Sequence, residues 1–188
     1  MAHIYIAFVD TPGIFAALIR KFLKQRYIHV VISGDAMLND AYSVGRRNPA
    51  VPFSAGFEKE DKGKILNEFP MAVYRICELD CTLEQKQKIM ERLHNDYDRR
   101  FRIHYAVCSL PFIVMGIPFY LKNQYTSSSY IAKVLQENGI AVSNKHFSIV
   151  TPKDLFGYQE MKVVFEGFLS EIAADRLNHV PESVSVYE

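Results

Sequence analysis

The sequence predicts a single α+β domain in which an antiparallel sheet packs against helices. Apolar, β-branched segments alternate with amphipathic segments along the 188 residues, which indicates a mixture of strands and helices. The segments 27–33 and 36–43 flank Gly34-Asp35, and a two-residue turn with glycine first is typical of a β-hairpin. An antiparallel pair early in the chain favours the α+β class over a doubly wound α/β sheet.

Three further strands complete the predicted sheet, and a long loop is predicted between two of its strands. The segment 3–10 is apolar and β-branched, 71–79 has the same character, and 161–169 is the last such run. Between the hairpin and the strand at 71–79, residues 45–64 contain two prolines, three glycines and mixed charges. This composition predicts a long irregular connection, and such connections usually carry function.

The helices are predicted from apolar periodicity and from their capping residues. A helix over 14–23 follows Pro12, which suits a first helical turn. A helix over 82–100 begins after Thr82 as the N-cap residue. The sequence TPKD at 151–154 matches an N-cap followed by an acidic third position, which predicts a short helical turn.

Composition restricts the class of protein. The chain is 49% hydrophobic and 23% charged, as in soluble globular proteins, and residues 1–188 fit one domain, with about 170–188 as a loosely packed tail. A formal net charge of +1 provides no basic face, so no nucleic-acid partner is expected. The amino terminus lacks a basic leader and the three cysteines lack disulfide or zinc spacing, so we expect a cytoplasmic protein without metal or cofactor. Nothing in the sequence indicates an oligomeric state.

One uncharged segment, residues 106–121, stands out for its apolar composition. It is too short to span a membrane, and Pro111 and Pro118 interrupt it. We expect it to be buried in the core. Contact with lipid or with an apolar substrate is the less favoured alternative.

Three consecutive serines mark the start of another predicted helix. In QYTSSSYIAKVL at 124–135, Ser127, Ser128 and Ser129 precede the apolar positions, and Gly139 ends the helix. The serines are ordinary capping residues on one interpretation. On the other, Ser127 lies where unpaired backbone N–H groups and the helix dipole stabilise a nucleophile or an oxyanion.

A histidine and a carboxylate are predicted to meet across the hairpin. A two-residue turn at 34–35 places His29 directly opposite Asp40, with Cβ atoms roughly 5 Å apart. A carboxylate at that distance would orient the imidazole and favour its protonated form. A structural cross-strand pair fits the same observation, and catalysis requires a nucleophile beside the ring.

These segments resemble a known enzyme family in order and spacing. YIHVVISGD and LNDAYSVGRRNP are followed about a hundred residues later by NQYTSSSYIAKVLQENGI and SIVTPKDL. The pattern is similar to the circularly permuted papain-like branch of the NlpC-type peptidase superfamily, which includes YiiX/YaeF-type amidases and, more distantly, lecithin retinol acyltransferase. The resemblance covers about residues 3–170.

The resemblance implies a permuted papain-like fold and a catalytic triad. His29 matches the family's base, Asp40 its polar third member, and Ser127 the position of the nucleophilic cysteine. The implied function is a cysteine-type hydrolase that cleaves an amide, peptide or acyl bond through an acyl-enzyme. The serine at 127 fits either an introduced Cys→Ser change or a natural replacement.

Two alternatives to hydrolysis remain open. One is an inactive domain that binds its ligand in the same cleft, with serine as the native residue at 127. The other is a protein related to lipid-amide acyltransferases, with 106–121 facing a membrane. The expected partner is a small peptide, amide or acyl-lipid substrate in each case.

Overall fold

The computed structural model describes residues 1–12, 20, 26–48 and 54–178. Within them, eight strands form one open sheet in the order β7-β6-β4-β3-β2-β1-β5-β8, and every pair is antiparallel except β6–β7. The strands are β1 (Ala2–Asp10), β2 (His29–Ser33), β3 (Ala41–Arg46), β4 (Ala55–Lys59), β5 (Val73–Cys81), β6 (His104–Tyr105), β7 (Gln124–Tyr125) and β8 (Met161–Phe168).

Helices cover both faces of the sheet. They are α1 (Lys62–Glu68), α2 (Leu83–Asp98), α3 (Leu110–Met115), α4 (Ser127–Glu137), α5 (Pro152–Phe156) and α6 (Leu169–Asn178). The larger apolar cluster joins one sheet face to α2, α4 and α5, and it includes Ile89, Ile131 and Leu155. The smaller cluster joins the other face to α1 and α6 through Ile65 and Ile172. The α+β class is therefore confirmed.

The helices α2, α4 and α5 begin where the sequence predicts, but the N-cap residue of α4 is Thr126 rather than one of the three serines. The side chains of Thr82 and Thr126 each accept a hydrogen bond from the backbone N–H of the third helical residue, and their own backbone N–H groups each donate one to that residue's side chain, in capping boxes that open α2 and α4. Thr151 opens α5 in the same way with Asp154. At Gly139 the backbone is left-handed, with φ of +78°, which glycine adopts without steric cost.

The predicted two-residue turn at Gly34-Asp35 is wrong. Pairing of β2 with β3 closes with Ser33 opposite Ala41, so the connection covers residues 34–40. The Asp35 carboxylate organises it by accepting backbone N–H groups of Met37, Asn39 and Asp40. This side-chain capping stabilises a longer loop that the glycine-first pattern does not reveal.

The connection predicted over 45–64 contains regular structure. Strand β4 (Ala55–Lys59) pairs with β3, and α1 begins at Lys62 behind the N-cap residue Asp61. Two glycines paired across the strands, Gly45 and Gly56, hide the strand pattern in the sequence. Residues 49–53 lie outside the described part of the chain.

The predictions for the two terminal segments fall only partly within the described residues. The helix predicted over 14–23 lies outside the described residues, apart from Arg20. The predicted tail at 170–188 begins as helix, because α6 continues to Asn178 and buries Ile172. Residues 179–188 lie outside the described part of the chain.

The segment 106–121 is mostly exposed, which contradicts the prediction that it is buried in the core. Helix α3 buries none of its residues, and Val107, Val114, Met115, Ile117 and Leu121 are all exposed. The segment forms a connection that leaves the sheet after β6 and returns to begin β7. Among the described residues, no helix is both long and apolar enough to cross a membrane.

Candidate functional site

The start of α4 holds three buried serines, and two of them have structural partners. Ser129 completes the capping box with Thr126. The hydroxyl of Ser128 donates a hydrogen bond to the carbonyl of Val150 at 2.7 Å, which ties α4 to the segment before α5. Both hydroxyls therefore have a structural role.

Ser127, the first residue of α4, reaches the sheet instead. Its Oγ accepts a hydrogen bond from the backbone N–H of Val30 at 3.3 Å. That N–H belongs to the peptide bond that joins His29 to Val30. The N-terminus of α4 therefore contacts β2 at the residue next to the predicted base. Ser127 is only 4% exposed.

An opening between β2 and β3 makes this contact possible. The ladder between the two strands has only two residue pairs, Ile32 with Tyr42 and Ser33 with Ala41. At its His29 end, β2 is therefore not paired with β3, and the Val30 N–H needs another acceptor. The Ser127 hydroxyl is that acceptor.

His29 lies in a polar cluster with Ser43 and Glu60. Its Nε2 is 3.1 Å from Ser43 Oγ and 3.3 Å from Glu60 Oε1, and the Ser43 hydroxyl also donates a short hydrogen bond to Glu60. An ionised carboxylate only accepts hydrogen bonds, so the network assigns the proton of a neutral imidazole to Nε2. The lone pair of Nδ1 is then the basic position of the ring.

Gly45 provides the space in which the imidazole lies. A Cβ at this position would be 2.7 Å from Cε1 of His29, closer than side chains pack. Continuing the β2–β3 register places Gly45 directly opposite His29. The absence of a side chain at 45 is thus a condition for the observed position of the ring.

Asp40 does not lie opposite His29, which corrects the predicted cross-strand pair. Its carboxylate instead accepts hydrogen bonds from Tyr42 at 2.8 Å, from Lys59 at 3.1 Å and from Nε2 of His94 at 2.7 Å. Partial burial by itself raises the pKa of Asp40, but the hydrogen bonds from His94, Tyr42 and Lys59 outweigh it and lower the pKa from its ordinary value. The seven-residue loop is the physical reason, because it shifts the register by five positions from that of a two-residue turn.

His29 and Ser127 approach the opening from different faces of the sheet. Along β2, Val30 belongs to the cluster under α4, whereas Val31 belongs to the cluster under α1. Alternation of side chains places His29 on the face of Val31. Within the described residues, no hydrogen bond joins the imidazole to Ser127, although the Ser127 hydroxyl contacts the neighbouring peptide.

A cavity of about 570 Å³ adjoins the His29 cluster through Glu60. It lies between the β3–β4 hairpin and the start of α1. Its walls are mainly charged, with Arg46, Lys59, Glu60, Lys62 and Arg100 among the lining residues and Ile65 at an apolar position. The Glu60 carboxylate is common to the cavity wall and to the contact with His29.

Glu60 and Ser43 are the site residues that sequence reasoning missed. Glu60 directly follows β4, in a stretch whose three glycines and dense charges indicate a loop. Ser43 is on β3, but the incorrect hairpin register placed Asp40 rather than Ser43 beside His29. The sequence AGFEK at 55–59 shows no apolar–polar alternation, so it gives no clear signal for a strand that ends beside a carboxylate.

One group of side chains in the described residues has metal-ligating geometry. His3, Glu78 and Asp80, on β1 and β5, have ligand atoms within 4.8 Å of one another. His3 Nδ1 lies 2.8 Å from Asp80, and Tyr5 donates a hydrogen bond to Glu78. These cross-strand contacts account for the group as surface ion pairing.

Comparison with known proteins gives no relative for this chain: no family model, no curated protein and no solved structure matches it.

Proposed function

We propose that the chain is an acyl-transfer scaffold of the hydrolase type, which acts on an amide, peptide or acyl bond. Residue 127 is the nucleophile, His29 the general base and Glu60 the carboxylate that orients it. The observation that carries this proposal is a pair of contacts at neighbouring residues of β2. The Glu60 carboxylate contacts the imidazole of His29, and the backbone N–H of Val30 donates to the side chain of Ser127 at the N-terminus of α4.

The proposed reaction passes through an acyl-enzyme. Nδ1 of His29 takes the proton of the nucleophile, which attacks the carbonyl carbon of the substrate. The imidazolium then returns that proton to the leaving amine or alcohol as the bond to it breaks. Water, activated by the same nitrogen, releases the acyl group, and no metal or organic cofactor is required.

The Val30 N–H supports residue 127 as the reacting group. A backbone N–H that donates to Oγ stabilises negative charge on that atom, and the terminus of α4 adds a favourable dipole. A thiol at this position would become a thiolate near neutral pH. The serine hydroxyl is far less acidic and needs proton removal concerted with attack.

Catalysis in this form requires a movement of His29. The ring and the side chain of residue 127 lie on different faces, so the imidazole has to turn across the opening between β2 and β3. His29 is the first residue of β2, and Gly45 leaves the opening without a side chain. The end of a strand is the part most readily rearranged.

The resemblance to the permuted papain-like branch of the NlpC superfamily agrees with this proposal in part. A histidine at the start of a strand and a helix that begins at residue 127 both have counterparts in the family's pattern. In this proposal Glu60 takes the role that the resemblance implied for Asp40. The permuted papain fold itself is part of the proposal.

Alkylation of a Ser127→Cys variant tests the proposal. Labelling with iodoacetamide between about pH 5 and about pH 8, followed by peptide mapping, is expected to give a fast adduct at residue 127 at the acidic end. A second substitution, His29→Ala, removes that reactivity. Ser128→Cys is the matched control, because it shares the helix terminus but contacts Val150. Labelling of residue 127 no faster than residue 128 or Cys108 contradicts the proposal.

A ligand-binding domain without turnover is the second candidate. It is favoured by the burial of Ser127 and by the contact of its hydroxyl with a backbone N–H rather than with an imidazole. In this case the serine satisfies a buried donor, and the Ser127→Cys variant shows no enhanced alkylation. The cavity beside Glu60 then remains as the binding site.

A further inference from the structure

An apolar projection stands out on the surface near β6 and β7. Residues 107–121, which we name the apolar lip, form a short 3₁₀ turn, helix α3 and an extended return. Met115 is 58% exposed and Ile117 is 48% exposed, and Val107, Val114 and Leu121 are exposed as well. Contiguous apolar exposure of this kind marks an interaction surface.

The apolar lip has internal order. Phe112 and Phe119 stack with ring centroids 4.3 Å apart, and this contact holds α3 against the returning chain. Gly116 ends the helix with φ of +69°, where its N–H binds the Ile113 carbonyl. The hydroxyls of Tyr120 and Tyr125 form a hydrogen bond, which anchors the returning chain to β7. The exposed side chains are therefore presented by an organised segment.

The part of the sequence that contains the apolar lip has charged residues of one sign. No aspartate or glutamate occurs between Asp98 and Glu137, whereas five arginines and lysines do. Three of them have carboxylate partners elsewhere: Arg99 with Asp96, Arg100 with Glu58 and Lys133 with Glu137. Among the described residues, Arg102 and Lys122 form no ion pair.

The two unpaired cations lie at one end of the β6–β7 pair, from which the apolar lip projects. His104 on β6 is opposite Gln124 on the parallel strand β7, and its N–H binds the carbonyl of Asn123. Arg102 lies two residues before His104 and Lys122 two residues before Gln124, so both lie at the same end of the parallel pair. Exposed apolar side chains thus project from a base that carries positive charge.

We propose that the apolar lip docks the protein on an anionic lipid membrane surface. Its apolar side chains enter the interfacial region, and Arg102 and Lys122 contact lipid phosphates. Apolar insertion combined with cations near the boundary is how peripheral proteins bind such surfaces. The charge complementarity favours a lipid surface over a neutral protein surface, since unpaired cations at a buried protein contact are costly.

Vesicle co-sedimentation tests this proposal. The full chain is mixed with phosphatidylcholine vesicles and with vesicles that also contain phosphatidylserine. It is expected to sediment with the anionic vesicles, and added salt is expected to weaken the binding. Failure to bind anionic vesicles, or equal binding to both compositions, overturns the proposal.

Substitutions define the surface. Met115→Asp is expected to lower the vesicle partition coefficient about tenfold or more, and Lys122→Glu to have a similar effect through charge reversal. Met71→Asp is the matched control, because Met71 is 63% exposed between α1 and β5, far from the apolar lip in the strand order. Far-ultraviolet circular dichroism checks that each variant is folded.

Self-association is the competing outcome. Light scattering measures whether the parent chain forms dimers and whether Met115→Asp dissociates them. If it does, and if the parent chain binds no vesicles, the apolar lip is a protein interface and the membrane proposal is wrong. Equal vesicle binding by Met115→Asp and Met71→Asp also contradicts the proposal.

Discussion

Glu60 Oε1 lies 3.3 Å from Nε2 of His29, and the two side chains meet on the sheet face that carries α1. Ser43 joins them through its hydroxyl, which lies between the ring and the carboxylate. This network holds one nitrogen of the imidazole and leaves the other without a hydrogen bond among the described residues. The carboxylate that orients His29 therefore comes from the residue after β4.

The first prediction separates the two candidate carboxylates. In the Ser127→Cys background, Glu60→Gln is expected to lower the alkylation rate of residue 127 roughly tenfold, because loss of a charge beside the imidazole changes the thiolate fraction. Asp40→Asn is the matched control and is expected to leave the rate nearly unchanged, since its partners are His94, Tyr42 and Lys59. The reverse ranking restores Asp40 as the orienting residue.

A second prediction concerns the space beside His29. Gly45→Ala introduces a Cβ that would lie 2.7 Å from Cε1 of the ring, so the ring or β3 has to shift. We expect the free energy of unfolding in urea to fall by about 1–3 kcal/mol. The control is Gly63→Ala in α1, where the nearest atom is the end of the Asp61 side chain at 3.3 Å. Similar stability losses in the two variants would show that Gly45 has no special role.

The third prediction concerns the buried carboxylate of Asp96, which is 1% exposed. It accepts hydrogen bonds from Arg92, Arg99 and Tyr130, and so connects α2 to α4. Asp96→Ala leaves these donors without their acceptor and is expected to cost about 3–5 kcal/mol in urea unfolding.

Asp98→Ala provides the control for that measurement. Asp98 is exposed on the same helix, and its replacement is expected to change stability by less than about 0.5 kcal/mol. A small effect of Asp96→Ala, comparable with that control, contradicts a stabilising role for the α2–α4 network.

The fourth prediction is a pH dependence that originates at Asp40. Because the hydrogen bonds from His94, Tyr42 and Lys59 lower its pKa in the folded state, the ionised carboxylate stabilises the fold above the ordinary pKa of 3.8. That contribution is lost as the pH falls through the lowered pKa. With a side chain 34% exposed, we expect about 1 kcal/mol or less at neutral pH after allowance for solvent screening.

Urea titrations of the parent and of Asp40→Asn at several pH values measure this contribution. The stability difference between the two proteins is expected to shrink below about pH 4. A difference that stays constant, or grows, as the medium is acidified contradicts the assignment of the pH dependence to Asp40.

Local patterns predicted the elements that depend on neighbours in sequence. The capping boxes at Thr82 and Thr151 are short-range interactions, and α2 and α5 begin where those residues predict. The serine run predicted the start of α4, although its N-cap residue is Thr126. The strands at 3–10 and 161–169 follow in the same way from runs of β-branched residues. The start of α4, which places Ser127, was therefore accessible from sequence alone.

Features that depend on longer-range contacts were not accessible. The carboxylate of Asp35 binds three N–H groups and lengthens the hairpin loop, and this changes which residue lies opposite His29. The contact between His29 and Glu60 requires β4, a strand that is hidden in the sequence by Gly56 and by the charged residues around it. Apolar composition of 106–121 could not predict exposure, because the same side chains serve a core or an interaction surface.

The most direct measurement of the central claim is acyl transfer to residue 127. The Ser127→Cys variant is treated with an activated acyl ester, and intact-mass spectrometry with peptide mapping follows the adduct over time. We predict an acyl group at residue 127 that forms and is then released to water, with both steps slowed by His29→Ala. Acylation of residue 127 no faster than Cys108, or release that His29→Ala leaves unchanged, would contradict the assignment of His29 as the base.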